Sequence, residues 1–139
     1  MEMSMSIPNL AKIRVADYMS NKLISLPKDT DVLKAINIML VNRIPNAPVV
    51  DETGNLIGMF SEKDAMKVVL EAAYNQSMAG QVHEFMNTQA DIIDADASIV
   101  EAAEKLVDSS VRCFPVYRDN ELVGVISRSD VLRALEAIR

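Results

Sequence analysis

Apolar positions along the chain change their spacing in a fixed order, and that order occurs twice. A short extended piece, Leu23-Ile24-Ser25-Leu26, precedes apolar Val32, Leu33, Ala35, Ile36, Met39 and Leu40. Their three-to-four spacing predicts one helix face, with Thr30 or Asp31 as the cap. Two runs of strand character follow, Ala47-Pro48-Val49-Val50 and Leu56-Ile57-Gly58-Met59-Phe60, and the Gly54-Asn55 pair between them predicts a hairpin. A second helix starts at Ser61 and carries Ala65, Met66, Val68, Val69, Ala72 and Ala73. The series then starts again at Ile92-Ile93. Ser98, with Glu101 three residues on, is a capping box for a helix running through Leu106 and Val107. Phe114-Pro115-Val116-Tyr117 and Leu122-Val123-Gly124-Val125-Ile126 flank Asp119-Asn120, and a last helix from Ser127 carries Val131, Leu132, Leu135 and Ile138.

The two series superpose when the chain is displaced by 67 residues, the distance from Val15 to Val82. Val15, Met19, Asp29, Ala35, Pro48 and Val49 then meet Val82, Met86, Asp96, Ala102, Pro115 and Val116. After a one-residue contraction in the polar turn, Leu56, Gly58, Ser61 and Asp64 meet Leu122, Gly124, Ser127 and Asp130. A turn absorbs such a length change easily. The expected organisation is an N-terminal arm over 1–14, one repeat over 15–74, a linker over 75–81 and a second repeat over 82–139. The opening stretch Met1 to Leu10 has no period and is expected to fray or to pack as a minor arm. Each repeat reads β-α-β-β-α in ~55 residues, too few to bury an adequate core alone, so the two are expected to pack as one pseudo-two-fold α/β (α+β) module.

Composition narrows the function. The chain has 139 residues, half of them apolar, with three Phe, three Tyr and no Trp, so its core must be aliphatic. A formal charge of −6 argues against a nucleic-acid partner, whose phosphates call for clustered cations. The lone Cys113 excludes an internal disulfide and reads as a small buried hydrophobe. No stretch has the pattern of a secretory signal or the ~20 apolar residues of a bilayer span, so no membrane insertion and a cytoplasmic location are expected. No paired acids, no nucleophile with a base and no metal-ligand cluster appear. The single histidine, His83, reads as a surface or cap residue, so catalytic and metal roles are assigned to none and no enzyme is expected.

The most specific feature is Gly-x-x-Ser-x-x-Asp at the end of each hairpin, Gly58 to Asp64 and Gly124 to Asp130. Two readings stand. Ser-x-x-Asp at a helix start is close to a capping box, worth ~1 kcal/mol. Equally, free N–H groups and a hydroxyl at a helix N-terminus suit a phosphate, and a carboxylate one turn inside can accept two hydrogen bonds from a ribose diol.

The tandem β-α-β-β-α units, the strand starts Pro48-Val49-Val50-Asp51 and Phe114-Pro115-Val116-Tyr117, and the paired Gly-x-x-Ser-x-x-Asp segments together resemble cystathionine β-synthase (CBS) domains joined in a Bateman module, over about Val15 to Ile138. The resemblance implies a regulatory sensor without chemistry of its own. Such a module binds AMP, ADP or ATP, or S-adenosylmethionine, in two clefts between the repeats, and signals occupancy to a partner such as a separate enzyme or transporter. It also implies a homodimer, which the wide apolar stripe Val68, Val69, Ala72 and Ala73 supports. Carried over by position, the first cleft joins Thr30, Ala35, Ile44 and Pro45 to Ser127, Arg128 and Asp130, with Asp130 on the ribose and Ser127 on the phosphate side. The second joins Ala97, Ala102, Val111 and Arg112 to Ser61 and Asp64. Ala97 departs from the family's frequent polar residue, and Pro45 brings no N–H to the base. Ala35, Ile44, Ala102 and Val111 read equally as core, and Arg112 and Arg128 as solvated surface charges. The alternative function is a ligand-free dimerisation or assembly module with the same fold.

Overall fold

The computed structural model describes residues 7–77, 79–89, 91–109 and 111–138. The first six residues of the expected arm, and Met78 in the expected linker, lie outside the described residues. The described chain runs α1 (Val15–Tyr18), β1 (Leu26–Pro27), α2 (Val32–Asn42), β2 (Asn46–Val50), β3 (Leu56–Ser61), α3 (Glu62–Asn75), β4 (Ile93–Asp94), α4 (Ile99–Val107), β5 (Cys113–Arg118), β6 (Glu121–Ser127) and α5 (Arg128–Ile138). A two-turn 3₁₀ helix stands at Ile7–Lys12 and a single 3₁₀ turn at Val82–Glu84. The fold class is the mixed α+β one that the periodicity indicates. Leu23-Ile24-Ser25 stays outside the sheet, so β1 is only the two residues Leu26–Pro27.

Two three-stranded sheets form, each with its first strand parallel and its third antiparallel to the middle one. A buried proline sits in each middle strand, opposite Met59 for Pro48 and opposite Val125 for Pro115. Neither proline costs its antiparallel ladder a bond. Met59 exchanges both its N–H and its C=O with Asn87, and Val125 does the same with Ser20, so neither proline pair carries a ladder bond that needs the missing N–H. Asp119 and Asn120 both take positive φ, 53° and 65°, in the two-residue turn that matches strand twist.

The chain divides into two compact units, Ile24–Ala90 and the combination of Met1–Leu23 with Asp91–Arg139. These units are not the sequence repeats, because each takes its opening segment from the other repeat's head. In the first unit, Val82 donates to Thr30 O at 2.9 Å, His83 to Lys28 O at 3.3 Å, and Val32 to Gly80 O at 3.0 Å. The second unit repeats the pattern with Val15 to Ala97 O at 2.8 Å, Ala16 to Ala95 O at 2.9 Å, and Ile99 to Ile13 O at 2.8 Å. Val82 and Val15 are each fully buried, one against Leu26, Val49 and Phe60, the other against Ile93, Val116 and Ile126. Leu10 and Ile13 pack on that second core, so the described part of the arm is a packing element and not a frayed end.

Candidate functional site

Each Gly-x-x-Ser-x-x-Asp segment is the junction of a third strand with the helix that follows it. Gly58 and Gly124 admit the crossing segment: a Cβ on Gly58 would lie 2.9 Å from Asn87 O, and one on Gly124 would lie 2.5 Å from Ser20 O. Ser61 ends β3 in extended backbone and caps α3. Its Oγ accepts from Asp64 N at 3.2 Å, while Asp64 Oδ2 accepts from Ser61 N and Ser61 Oγ, both at 2.9 Å. The other copy is nearly the same, with Asp130 Oδ2 accepting from Ser127 N at 2.8 Å and from Ser127 Oγ at 3.0 Å. The capping reading of the motif is therefore realised twice.

Capping does not use the whole carboxylate. Asp64 and Asp130 are each 4% exposed, and the other oxygen of each meets a cation one turn on, Lys67 at 3.0 Å for Asp64 and Arg133 for Asp130. A carboxylate has about four acceptor positions. Two are taken on Oδ2 and one on Oδ1, so one acceptor position is left for an incoming hydroxyl. A diol that donates twice requires Lys67 or Arg133 to swing aside, which their exposure permits. These two cations are absent from the candidate set read from the sequence, although Asp-x-x-Lys and Asp-x-x-Arg on a helix are ordinary i,i+3 pairs.

The other candidates fall into two within-unit groups. In the first unit, Pro45 O accepts from Glu62 N at 3.0 Å and Asn46 pairs with Ser61, so the Ile44-Pro45 segment adjoins the start of α3. In the second unit, Arg112 O accepts from Arg128 N at 3.3 Å and Cys113 pairs with Ser127. Thr30 and Ala97 occupy matching places, each giving its carbonyl to the valine of the exchanged segment. Ala35 and Ala102 are fully buried in the cores of their units, whereas Ile44 and Val111 are half-buried at the core edge. Arg112 is exposed. Arg128, expected beside a phosphate or in solvent, does something else: its Nη2 donates to Leu106 O at 3.3 Å and to Ser109 O at 2.8 Å, at the C-terminal end of α4.

Cys113 is buried and His83 lies on the surface, as the sequence leads one to expect. Burial, and secondarily the Asp130 charge, push the Cys113 thiol up to about 12, so its nucleophilic thiolate is scarcely populated near neutrality. His83 is exposed and its Nε2 lies 2.9 Å from Gln81 Oε1. Among the described residues, no group of three His, Cys, Asp or Glu side chains could hold a metal, and no helix is long and apolar enough to cross a membrane.

The CBS domain family model matches residues 15–71 and 82–137. An A-adding tRNA nucleotidyltransferase of Aquifex aeolicus is 30% identical over 125 residues, a match that takes in 90% of this chain and 15% of the enzyme. This chain spans 32%, 15% and 42% of the length of three curated relatives that it matches. Among solved structures, CBSX2 in complex with AMP, an Arabidopsis thaliana protein, has a TM-score of 0.77 at 23% identity, with 91% of this chain and 98% of that one covered. The CBS domain pair of protein MJ0100 in complex with 5′-methylthioadenosine and S-adenosyl-L-methionine has a TM-score of 0.78 at 24% identity, with the same coverage.

Proposed function

The chain belongs to the CBS domain family, carrying two copies of the domain, and on that premise we propose that it is a regulatory module whose ligand is an adenine nucleotide, AMP, ADP or ATP. The observation that carries the reading is the duplicated Ser/Asp box. In both copies the carboxylate is buried, fixed in direction and left with one free acceptor position at a helix N-terminus, an arrangement suited to a ribose beside a phosphate. Solved relatives that hold AMP, 5′-methylthioadenosine and S-adenosylmethionine support the same ligand class. The proposed contacts are Thr30, Ala35, Ile44 and Pro45 with Ser127, Arg128 and Asp130 for one nucleotide. For the other they are Ala97, Ala102, Val111 and Arg112 with Ser61 and Asp64. Ala35 and Ala102 act as the backing of the base wall, since their side chains are fully buried.

The module does no chemistry in this reading, works in the cytoplasm, and passes occupancy to a partner enzyme or transporter. The nucleotidyltransferase relative, in which the match takes in a small part of a longer chain, is consistent with such a pair serving a larger protein. Binding to the folded state alone adds RT ln(1 + [L]/Kd), ~2.7 kcal/mol at a hundredfold excess over Kd. AMP or ATP is therefore expected to raise the melting temperature, with calorimetric titration giving the stoichiometry. If neither nucleotide at millimolar concentration moves the transition, the assembly-module reading takes its place.

The chain is also proposed to be a homodimer. Val68, counted in the stripe read from the sequence, is buried in its own core, and helix α3 instead leaves Met66, Val69, Leu70 and Tyr74 more than half exposed, an apolar face better covered than wet. Light scattering at tens of micromolar is expected to give twice the 15.3 kDa of the chain. A mass equal to one chain at every concentration removes this claim.

A further inference from the structure

In the unit built on β4, β5 and β6, residues proposed for two different nucleotides touch one another. Ser127, Arg128 and Asp130 serve one ligand, Val111 and Arg112 the other. Arg128 joins the two sets along two routes. Its backbone N–H donates to Arg112 O at 3.3 Å, and its guanidinium takes the carbonyls of Leu106, in the last turn of α4, and of Ser109, just beyond it. Ser109 in turn holds the next link, since its Oγ accepts the N–H of Val111 at 3.1 Å. One side chain at the start of α5 therefore fixes the approach to Val111 and Arg112.

The matching position of the other unit carries no cation. Glu62 stands at the matching position and repeats the backbone bond to Pro45 O, but a carboxylate only accepts and cannot hold carbonyls.

A phosphate offers a guanidinium an opposite charge and a bidentate fit, neither of which a neutral carbonyl provides. Arg128 follows Ser127, the residue proposed to face the phosphate, so the two uses of its side chain compete. We infer that Arg128 is a phosphate-triggered brace: a phosphorylated ligand at Ser127 and Asp130 draws the guanidinium off Leu106 and Ser109, releases the Val111 N–H, and weakens the site that contains Val111 and Arg112. The inference rests on the nucleotide reading and gives it a sign, negative coupling, together with a carrier. Linkage makes the coupling reciprocal, and a phosphate-free ligand such as adenosine does not produce it.

Amide exchange at Val111, followed by NMR, tests it. Without ligand, Arg128→Ala is expected to exchange Val111 roughly fivefold faster than wild type, the change to which ~1 kcal/mol of lost hydrogen bonding converts. Arg128→Met, which keeps the stem and removes the donors, is expected to do the same. In an Asp64→Asn background, which weakens the second site while keeping a capping acceptor, AMP is expected to speed Val111 exchange and adenosine to leave it unchanged. Unchanged exchange in both Arg128 variants overturns the brace. Bound AMP that leaves Val111 unaltered, or adenosine that acts as AMP does, overturns the trigger. If calorimetry shows that wild type binds neither compound, the nucleotide reading fails and takes the trigger with it, a result kept apart from failure of the brace by the ligand-free comparison.

Discussion

Asp130→Ala is expected to weaken nucleotide binding at least tenfold, and by more than Asp64→Ala, while the two substitutions lower stability by similar amounts. The equality in stability follows from geometry. Both carboxylates are 4% exposed, both accept from the serine N–H and Oγ at 2.8–3.0 Å, and both meet a cation three residues on. Removing either deletes the same capping box, at ~0.5–2 kcal/mol. Affinity is where they part. The proposed partners of Asp130 include Thr30, whose hydroxyl can bond a ribose or phosphate oxygen, and Arg128, whereas Ala97 brings no polar side chain to the ligand of Asp64. Loss of a charge-assisted ribose contact removes ~1.5–3 kcal/mol of binding, tenfold or more in Kd. Calorimetric titration with AMP and ATP, at a temperature where both variants are folded, measures it. Equal affinities in wild type and Asp130→Ala would leave the box as a helix cap and nothing more.

Helices α2 to α5, the hairpins and the boxes were legible because each rests on a local rule: apolar spacing, turn residues that admit positive φ, an acceptor at a helix start. Ser98 shows the limit even of these, since its Oγ accepts the Glu101 N–H at 3.1 Å although the reciprocal half of the expected box does not form. The segment exchange was not legible, and the repeat itself is the reason. Val15 and Val82 align, as do Thr30 and Ala97 with their neighbours, so either valine satisfies the pattern of either core. A self-similar sequence cannot say which. Arg128 escaped for another reason. Its partners, Leu106 O and Ser109 O, are backbone carbonyls about twenty residues away, and every helix end offers such groups irrespective of its sequence.

One sequence signal did bear on the exchange, the glycine that opens each box, and it leads to an expectation with an unusual sign. Neither Gly58 nor Gly124 has positive φ, so alanine fits the backbone conformation at both, and such a change normally stabilises by ~0.4–1 kcal/mol through the unfolded chain. Here the space decides instead. A Cβ on Gly124 would lie 2.5 Å from Ser20 O and 3.4 Å from Ser20 C, backbone atoms pinned by the paired bonds of 2.9 and 3.0 Å between Ser20 and Val125. Relief of that clash requires the exchanged segment to leave the sheet, which gives up both bonds and loosens the seat of Val15. A Cβ on Gly58 first meets Met86 Sδ at 2.7 Å, the end of a flexible side chain, and then Asn87 O at 2.9 Å. Gly124→Ala is therefore expected to lose ~2–3 kcal/mol and Gly58→Ala ~1–2 kcal/mol, within the range for overpacking a close contact. Urea denaturation of the two variants beside wild type reads both values. A Gly124→Ala protein as stable as wild type would mean that Ser20 does not hold the segment to β6, and that the glycine is not there to admit it.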